Sequence, residues 1–115
     1  MTYLVNEEQQ GRMSRLCKEA VALWGENAQI EQAKEEMLEL LVELQRIYRG
    51  RHDHQEILSE CADVYQCLHQ IVYMVAGNAE EFENVFNAKM DKFEAQVEKS
   101  KAKRGQPWTD KGIDI

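Results

Sequence analysis

The sequence predicts an all-α protein with a four-helix, bundle-like fold and an antiparallel helical hairpin at its centre. The chain has one proline and six glycines in 115 residues and is rich in Glu, Gln, Leu, Met, Ala and Lys, which is the composition of long helices. Its apolar residues recur at alternating spacings of three and four, the period of a helix with one buried face.

Four helices are predicted, over 7–24, 28–48, 54–76 and 79–103. Each of three starts is marked by a polar residue and a second one three positions on that is able to reach back: Asn6 and Gln9, Asp53 and Glu56, Asn78 and Glu81. Glycines at positions 25, 50 and 77 separate the segments. We expect one domain over 1–104 and an irregular tail over 105–115, begun by Gly105 and Pro107.

The apolar faces predict how these helices pair. The second helix carries Ile30, Ala33, Met37, Leu40, Leu44 and Ile47, and the third carries Ile57, Cys61, Val64, Leu68, Ile71 and Val75. The short connection around Gly50 makes these two an antiparallel hairpin. The first helix (Met13, Leu16, Ala20, Leu23) and the fourth (Phe82, Phe86, Phe93, Val97) are expected to supply the remaining faces of a bundle.

The composition also indicates which classes of binding partner are expected. No apolar run approaches the roughly 20 residues that cross a bilayer, and the polar start Met1 to Gln10 does not resemble a signal peptide. We therefore expect a cytoplasmic protein without a membrane partner. A formal charge of −7 argues against binding nucleic-acid polymers, which are held by clustered Lys and Arg. At this size a homo-oligomer, dimer or tetramer, is expected to complete the burial.

The cysteines and histidines do not form a recognisable metal motif. Cys17, Cys61 and Cys67 lack zinc-ligand spacing and fall on or beside apolar faces, so we expect reduced core residues. A di-iron site in a bundle needs Glu-x-x-His. None of the histidines stands three residues after a glutamate, and we expect them at the surface near the turn (His52, His54) or on a polar helix face (His69).

Two acid-x-x-acid motifs stand out, Glu36 with Glu39 and Glu60 with Asp63. Residues three apart share a helix face. Glu36 and Glu60 each lie about 75° from the centre of their apolar face, and their partners about 135° away on the same rotational side. Reflection about a turn between Arg49 and Gly50 sets Glu36 level with Asp63 and Glu39 level with Glu60. The four acids should therefore converge along one edge of the hairpin.

Converging carboxylates repel one another unless they bind a cation or take up protons. Ligation by oxygen alone suits Mg²⁺ or Mn²⁺, which use their remaining positions for water and phosphate oxygens. The competing interpretation is a solvated, Glu-rich helix surface, which is common. Two pairs matched in rotation and level favour the metal site.

These motifs carry a resemblance to a known family. Glu36-Met37-Leu38-Glu39 followed by Glu60-Cys61-Ala62-Asp63 resembles the Glu-x-x-Glu and Glu-x-x-Asp motifs of the MazG-like all-α NTP pyrophosphohydrolases. That superfamily includes dimeric dUTPase, dCTP pyrophosphatase and phosphoribosyl-ATP pyrophosphatase. Trp24-Gly25 with Gln29 and Lys89-Met90-Asp91 are similar to flanking phrases of many members, so the likeness covers roughly residues 20–98.

The resemblance implies that Glu36, Glu39, Glu60 and Asp63 coordinate Mg²⁺. It also implies hydrolysis of a nucleoside triphosphate between the α- and β-phosphates, giving a monophosphate and pyrophosphate. This chain departs from some members, which have a tyrosine four residues after the motif aspartate and an asparagine three after the methionine of the Lys-Met pair. Here those positions are Cys67 and Phe93, so the base preference does not carry over.

Further residues are candidates for the same reaction. Glu39 or Glu35 would be the general base, with Glu39 nearer the metal face. Lys89, on the apolar stripe of the last helix, is a candidate phosphate ligand, against a snorkelling lysine or an ion pair; Lys92 is a second. Trp24 is a candidate for stacking on a base, against a hydrophobic plug at a helix end. The rival functions are a non-catalytic interaction module and a degenerate member that binds nucleotide without turnover.

Overall fold

The computed structural model describes residues 4–104, and over this range the chain is all-α, with four helices and no strand. The helices are α1 (Glu7–Trp24), α2 (Glu26–Tyr48), α3 (His54–Val75) and α4 (Ala79–Arg104). The predicted tail 105–115 lies outside the described residues. None of the four helices is both long and apolar enough to span a membrane.

The helix starts follow the polar pairs in the sequence. Asn6 and Gln9 form a reciprocal capping box, in which each backbone N–H donates to the other's side chain. Asp53 Oδ1 accepts from the N–H groups of Gln55 and Glu56. These bonds satisfy amides that have no partner in the first turn.

The break between α1 and α2 is shorter than predicted. α2 begins at Glu26, so one residue, Gly25, connects the two helices. Its φ of 85° lies in the region that favours glycine, and its N–H donates to the carbonyl of Val21. Gly50 adopts φ 67° in the turn that joins α2 to α3. Gly25 is therefore the one residue that forms the turn between α1 and α2.

The chain forms two compact units, the first ending at Val75 and the second beginning at Ala76. In the first unit α2 packs most extensively on α3, and both contact α1. Arg46 lies 3.6 Å from Glu56 near the turn, and Glu36 meets Asp63 farther along. Since the numbers fall along α2 as they rise along α3, the two helices run antiparallel, as predicted.

The buried face of α2 differs from the predicted one. The residues of α2 that are buried or half-buried are Gln29, Ala33, Glu36, Leu40, Glu43 and Ile47. Ile30, Met37 and Leu44, which we expected in the seam, are exposed. At 100° per residue, the inward direction is rotated by about 50° toward Glu36. Ala33, Leu40 and Ile47 belong to both stripes, which is why hydrophobic periodicity alone chose the wrong one.

The centre of the covered face of α3 is shifted in the same direction, toward Glu60, and α3 contacts α1 as well as α2. Gln70, buried, donates from Nε2 to the carbonyl of Cys17 on α1 at 3.0 Å. His69 Nδ1 lies 3.5 Å from the Cys17 sulfur, so the prediction that His69 lies on a polar outer face is wrong. The prediction for Cys61 is also wrong, since it is exposed, whereas Cys17 is buried and Cys67 half-buried.

The second unit contains α4. Glu81 reaches back from its first turn, where Oε2 accepts from the N–H of Gly77 at 2.6 Å and its own N–H donates to Asn78 Oδ1 at 2.9 Å. The rings of Phe82 and Phe86, one turn apart, stack with centroids 6.0 Å apart. The single domain over 1–104, with α4 closing a bundle, stays a prediction.

Candidate metal centre

The rotation of both helices places their acids inside the α2–α3 interface. Glu36 and Glu60, which periodicity assigned to the flank of an apolar seam, occupy half-buried positions facing the neighbouring helix. The interface therefore alternates apolar and acidic side chains at the spacing of a coiled-coil seam. Acids so placed lose part of their hydration, which favours a compensating partner.

Three carboxylates come together at one point of this seam. Glu36 of α2 with Glu60 and Asp63 of α3 offer oxygens that all lie within 4.8 Å of one another, and all three residues are half-buried. Three oxygens at this separation can converge on one small cation. Exposed acidic groups are common without an ion, so burial and unused oxygens decide whether the residues fit one.

The oxygens of Glu36 have unequal surroundings. Oε1 accepts a hydrogen bond from Gln32 Nε2 at 2.8 Å, whereas Oε2 is buried and has no hydrogen-bond partner among the described residues. Burial, and then the negative charges of Asp63 and Glu39, raise the pKa of Glu36 above its ordinary value, although the Gln32 hydrogen bond opposes the shift. Its charged form is thus destabilised in the absence of a cation.

Glu60 of α3 has a carboxylate oxygen in the same situation as Glu36 Oε2. Its Oε2 is also buried without a hydrogen-bond partner within the described part of the chain. Two orphaned carboxylate oxygens in one cluster are unusual, because buried polar atoms are nearly always paired. Hard oxygen donors with free lone pairs fit Mg²⁺ or Mn²⁺. The residues present therefore fit a divalent cation at Glu36, Glu60 and Asp63.

The fourth predicted ligand, Glu39, stands beside the triad and outside it. Its side chain is exposed and is not part of the close group of oxygens. Partial desolvation, followed by the charge of Glu60 and a smaller effect of Glu35, raises the pKa of Glu39. Glu39 therefore borders the cluster on its solvent side, and Glu35 is exposed next to it on α2.

Two neighbours of the triad were not predicted as site residues. Gln32, four residues before Glu36, donates a hydrogen bond to Glu36 Oε1. The thiol of Cys67, four residues after Asp63, has its pKa raised by burial and then by the charges of Glu36 and Asp63. In both cases the signal was the i, i+4 spacing to a motif acid, which places side chains on one helix face.

The remaining candidates lie elsewhere. Lys89 and Lys92 belong to the second unit and are exposed, so their role in binding phosphate stays a prediction. Trp24, at the last position of α1, is 66 % exposed. The interpretation of Trp24 as a hydrophobic plug is therefore wrong, because a plug would be covered by its neighbours. Its aromatic face is accessible, as stacking requires.

A second acid of α2 faces inward, one turn beyond Glu39. Glu43 is buried at 6 % exposure; its Oε1 accepts from Arg46 Nη1 at 2.6 Å, while its Oε2 has no partner among the described residues. Arg46 also lies 3.6 Å from Glu56 on α3. Arg46, from an exposed position, thus neutralises the end of the acidic seam that lies nearest the turn.

Comparison with protein-family models, with curated proteins and with solved structures finds no match to this chain. The resemblance to MazG-like enzymes therefore depends on the sequence motifs alone.

Proposed function

We propose that the chain is a Mg²⁺-dependent nucleoside triphosphate pyrophosphohydrolase whose metal is held by Glu36, Glu60 and Asp63. The observation that carries the proposal is the half-buried triad in which Glu36 Oε2 and Glu60 Oε2 have no hydrogen-bond partner within residues 4–104. The order and spacing of the two motifs, which resemble those of MazG-like enzymes, supply the reaction type.

In this reaction a water oxygen bonds to the α-phosphorus, the bond from that phosphorus to the bridging oxygen breaks, and pyrophosphate leaves. Glu36, Glu60 and Asp63 would hold a divalent ion, which would neutralise phosphate charge and lower the pKa of a bound water. The net charge of the chain is negative, so a cation is also what allows an anionic substrate to approach these acids.

Glu39 is assigned the role of general base. Its side chain is exposed and lies outside the close group of oxygens, within hydrogen-bonding reach of Glu60 and Glu36. Partial desolvation, and then the charge of Glu60, raise its pKa, which makes its carboxylate a stronger acceptor of the proton released by the attacking water. Glu35 contributes to the same shift from its exposed position and is the alternative base.

Metal binding is tested by thermal unfolding with Mn²⁺, Mg²⁺ or EDTA at constant ionic strength. A cation at ten times its dissociation constant stabilises the native state by about 1.4 kcal/mol. We expect this gain in the wild type and its loss in Glu36→Gln and Asp63→Asn. The matched control is Glu31→Gln on the same helix, an exposed acid paired with Lys34, which should keep the gain.

The reaction is tested by a panel of ribo- and deoxyribonucleoside triphosphates with separate detection of pyrophosphate and orthophosphate. We expect pyrophosphate from at least one substrate, and a loss of at least about a hundredfold in Glu39→Gln, as for removal of a general base. Metal binding without turnover would indicate a degenerate nucleotide-binding member. The absence of both metal binding and turnover would favour the non-catalytic interaction module.

A further inference from the structure

The second unit carries an apolar stripe that is exposed along most of α4. Its residues are Phe82, Phe86, Met90, Phe93 and Val97, each between 37 % and 66 % exposed. At 100° per residue they fall within an arc of about 80°. A stripe this narrow and continuous is the seam of a helix that packs lengthwise on another helix.

The charges of α4 divide at its midpoint. Residues 79–91 contain four acids and one lysine, a net charge of −3, and residues 92–104 contain five bases and two acids, a net charge of +3. The two halves of α4 therefore carry net charges of equal size and opposite sign. A parallel pair of such helices would set acid against acid and base against base, whereas an antiparallel pair sets each acidic half against a basic half.

We propose that α4 pairs with α4 of a second copy of this chain, antiparallel, about a two-fold axis near Asp91 and Lys92. Reversal about that point brings four of the five stripe residues onto one another, with Phe86 opposite Val97 and Met90 opposite Phe93, and it sets Phe82 level with Lys101. Each contact then occurs twice, as in an isologous interface. This interface is independent of the proposed activity.

One charged pair fixes the direction of the two helices. Glu83 and Lys101 lie on the same side of the stripe, each about 60° from its centre, and reversal sets Glu83 of one copy within one residue, about 1.5 Å along the helix axis, of Lys101 of the other. In antiparallel helices flanks of the same rotational sense meet, so two symmetric Glu83–Lys101 pairs form. Lys101 is available for this contact, because its one ion pair within the described residues is an exposed 3.3 Å contact with Glu98 of the same helix.

The test is the dimer dissociation constant of the full chain, measured by sedimentation equilibrium at low and at high salt. Glu83→Lys replaces two attractive pairs by two repulsive ones, and so does Lys101→Glu. Exposed pairs are worth up to about 1 kcal/mol each, so we expect each variant to weaken the dimer about tenfold at low salt and less at high salt. The double variant, Glu83→Lys with Lys101→Glu, should return to the wild-type value.

Two further variants control the experiment. Asp91→Lys makes the same change of charge on the opposite side of α4, about 140° from the stripe, and should leave dimerisation unchanged. Phe93→Ser removes apolar surface at the centre of the seam and should give monomer, with helicity checked by circular dichroism.

A monomeric wild type at high concentration would overturn the proposal, because the stripe would then be covered within one chain or by another protein. A dimer that is indifferent to Phe93→Ser would overturn it as well, since its interface would lie elsewhere. If Phe93→Ser dissociates the dimer but the charge reversals do not follow the expected pattern, the antiparallel arrangement is wrong.

Discussion

The carboxylates of Glu36 on α2 and Asp63 on α3 lie at one level of the helical hairpin, with oxygens within 4.8 Å of each other. Reflection of the sequence about the turn predicted this pairing. Desolvation of Glu36, and then the negative charge of Asp63, raise the pKa of Glu36. The pair therefore opposes folding at neutral pH when no cation is bound.

This predicts a pH dependence for the metal-free protein. A carboxyl whose pKa is higher in the folded than in the unfolded state binds protons preferentially when folded, so stability is greatest below its ordinary pKa and falls as pH rises through the raised value. Glu36→Gln removes the effect. We expect the variant to exceed the wild type by up to about 1 kcal/mol near neutral pH, since partial exposure limits the effect, and to converge with it in acid.

The measurement is urea unfolding in EDTA across that pH range. The matched control, Glu31→Gln, changes an exposed acid of the same helix and should track the wild type at every pH to within a few tenths of a kcal/mol. If Glu36→Gln were less stable than the wild type near neutral pH, the Glu36 carboxylate would be stabilised in the metal-free fold and the repulsion would be absent.

A second prediction uses Cys67 as a reporter of the triad. Burial and the charges of Glu36 and Asp63 raise the pKa of its thiol, so its reactive thiolate is scarce. A divalent cation on the triad would cancel those charges and lower the pKa of Cys67, and each unit is a tenfold change in thiolate. We expect Mg²⁺ to accelerate alkylation of Cys67, but not of exposed Cys61, when peptides are quantified by mass spectrometry.

The control for this reporter is Asp63→Asn, which removes one charge and one metal ligand. Its Cys67 should react faster than in the wild type without Mg²⁺ and should respond little when Mg²⁺ is added. Sodium chloride at matched ionic strength separates screening from binding. Equal acceleration by both salts would mean that no ion occupies the triad.

The four helices and the axial level of the acids could be predicted from the sequence. Asn6, Asp53 and Gly25 mark helix ends, which depend on local interactions within a short segment. It placed the acids at the flank of the interface because it counted only apolar residues. The inward stripe of α2 shares Ala33 and Leu40 with the apolar one. Which stripe faces inward depends on packing against α1 and α3, so the sequence of α2 alone does not determine it.

Gln70 illustrates what the sequence could not show and supports a third prediction. It is buried and donates at 3.0 Å to the carbonyl of Cys17, joining α3 to α1. Gln70→Ala removes this bond and leaves a void, at a cost of about 1–3 kcal/mol in the free energy of unfolding. Gln66→Ala, one turn earlier at an exposed position, should cost less than about 0.5 kcal/mol. Equal losses would mean that the contact does not hold the helices together.

The last prediction concerns the buried acid Glu43. Its Oε1 lies 2.6 Å from Arg46 Nη1, and its Oε2 has no partner among the described residues. Arg46→Ala would leave a buried carboxylate without its counter-charge. Because the Arg46 side chain is 47 % exposed, solvent screens part of the loss, and we expect a cost of about 1–3 kcal/mol, below that of a fully buried pair.

Removing the acid as well should restore stability. In Glu43→Met with Arg46→Ala no charge is left buried, and methionine fills the space of the glutamate, so we expect the double variant to be more stable than Arg46→Ala alone. Unfolding in urea gives both values. A double variant less stable than Arg46→Ala would show that Glu43 stabilises the hairpin without its arginine, which its orphaned oxygen argues against.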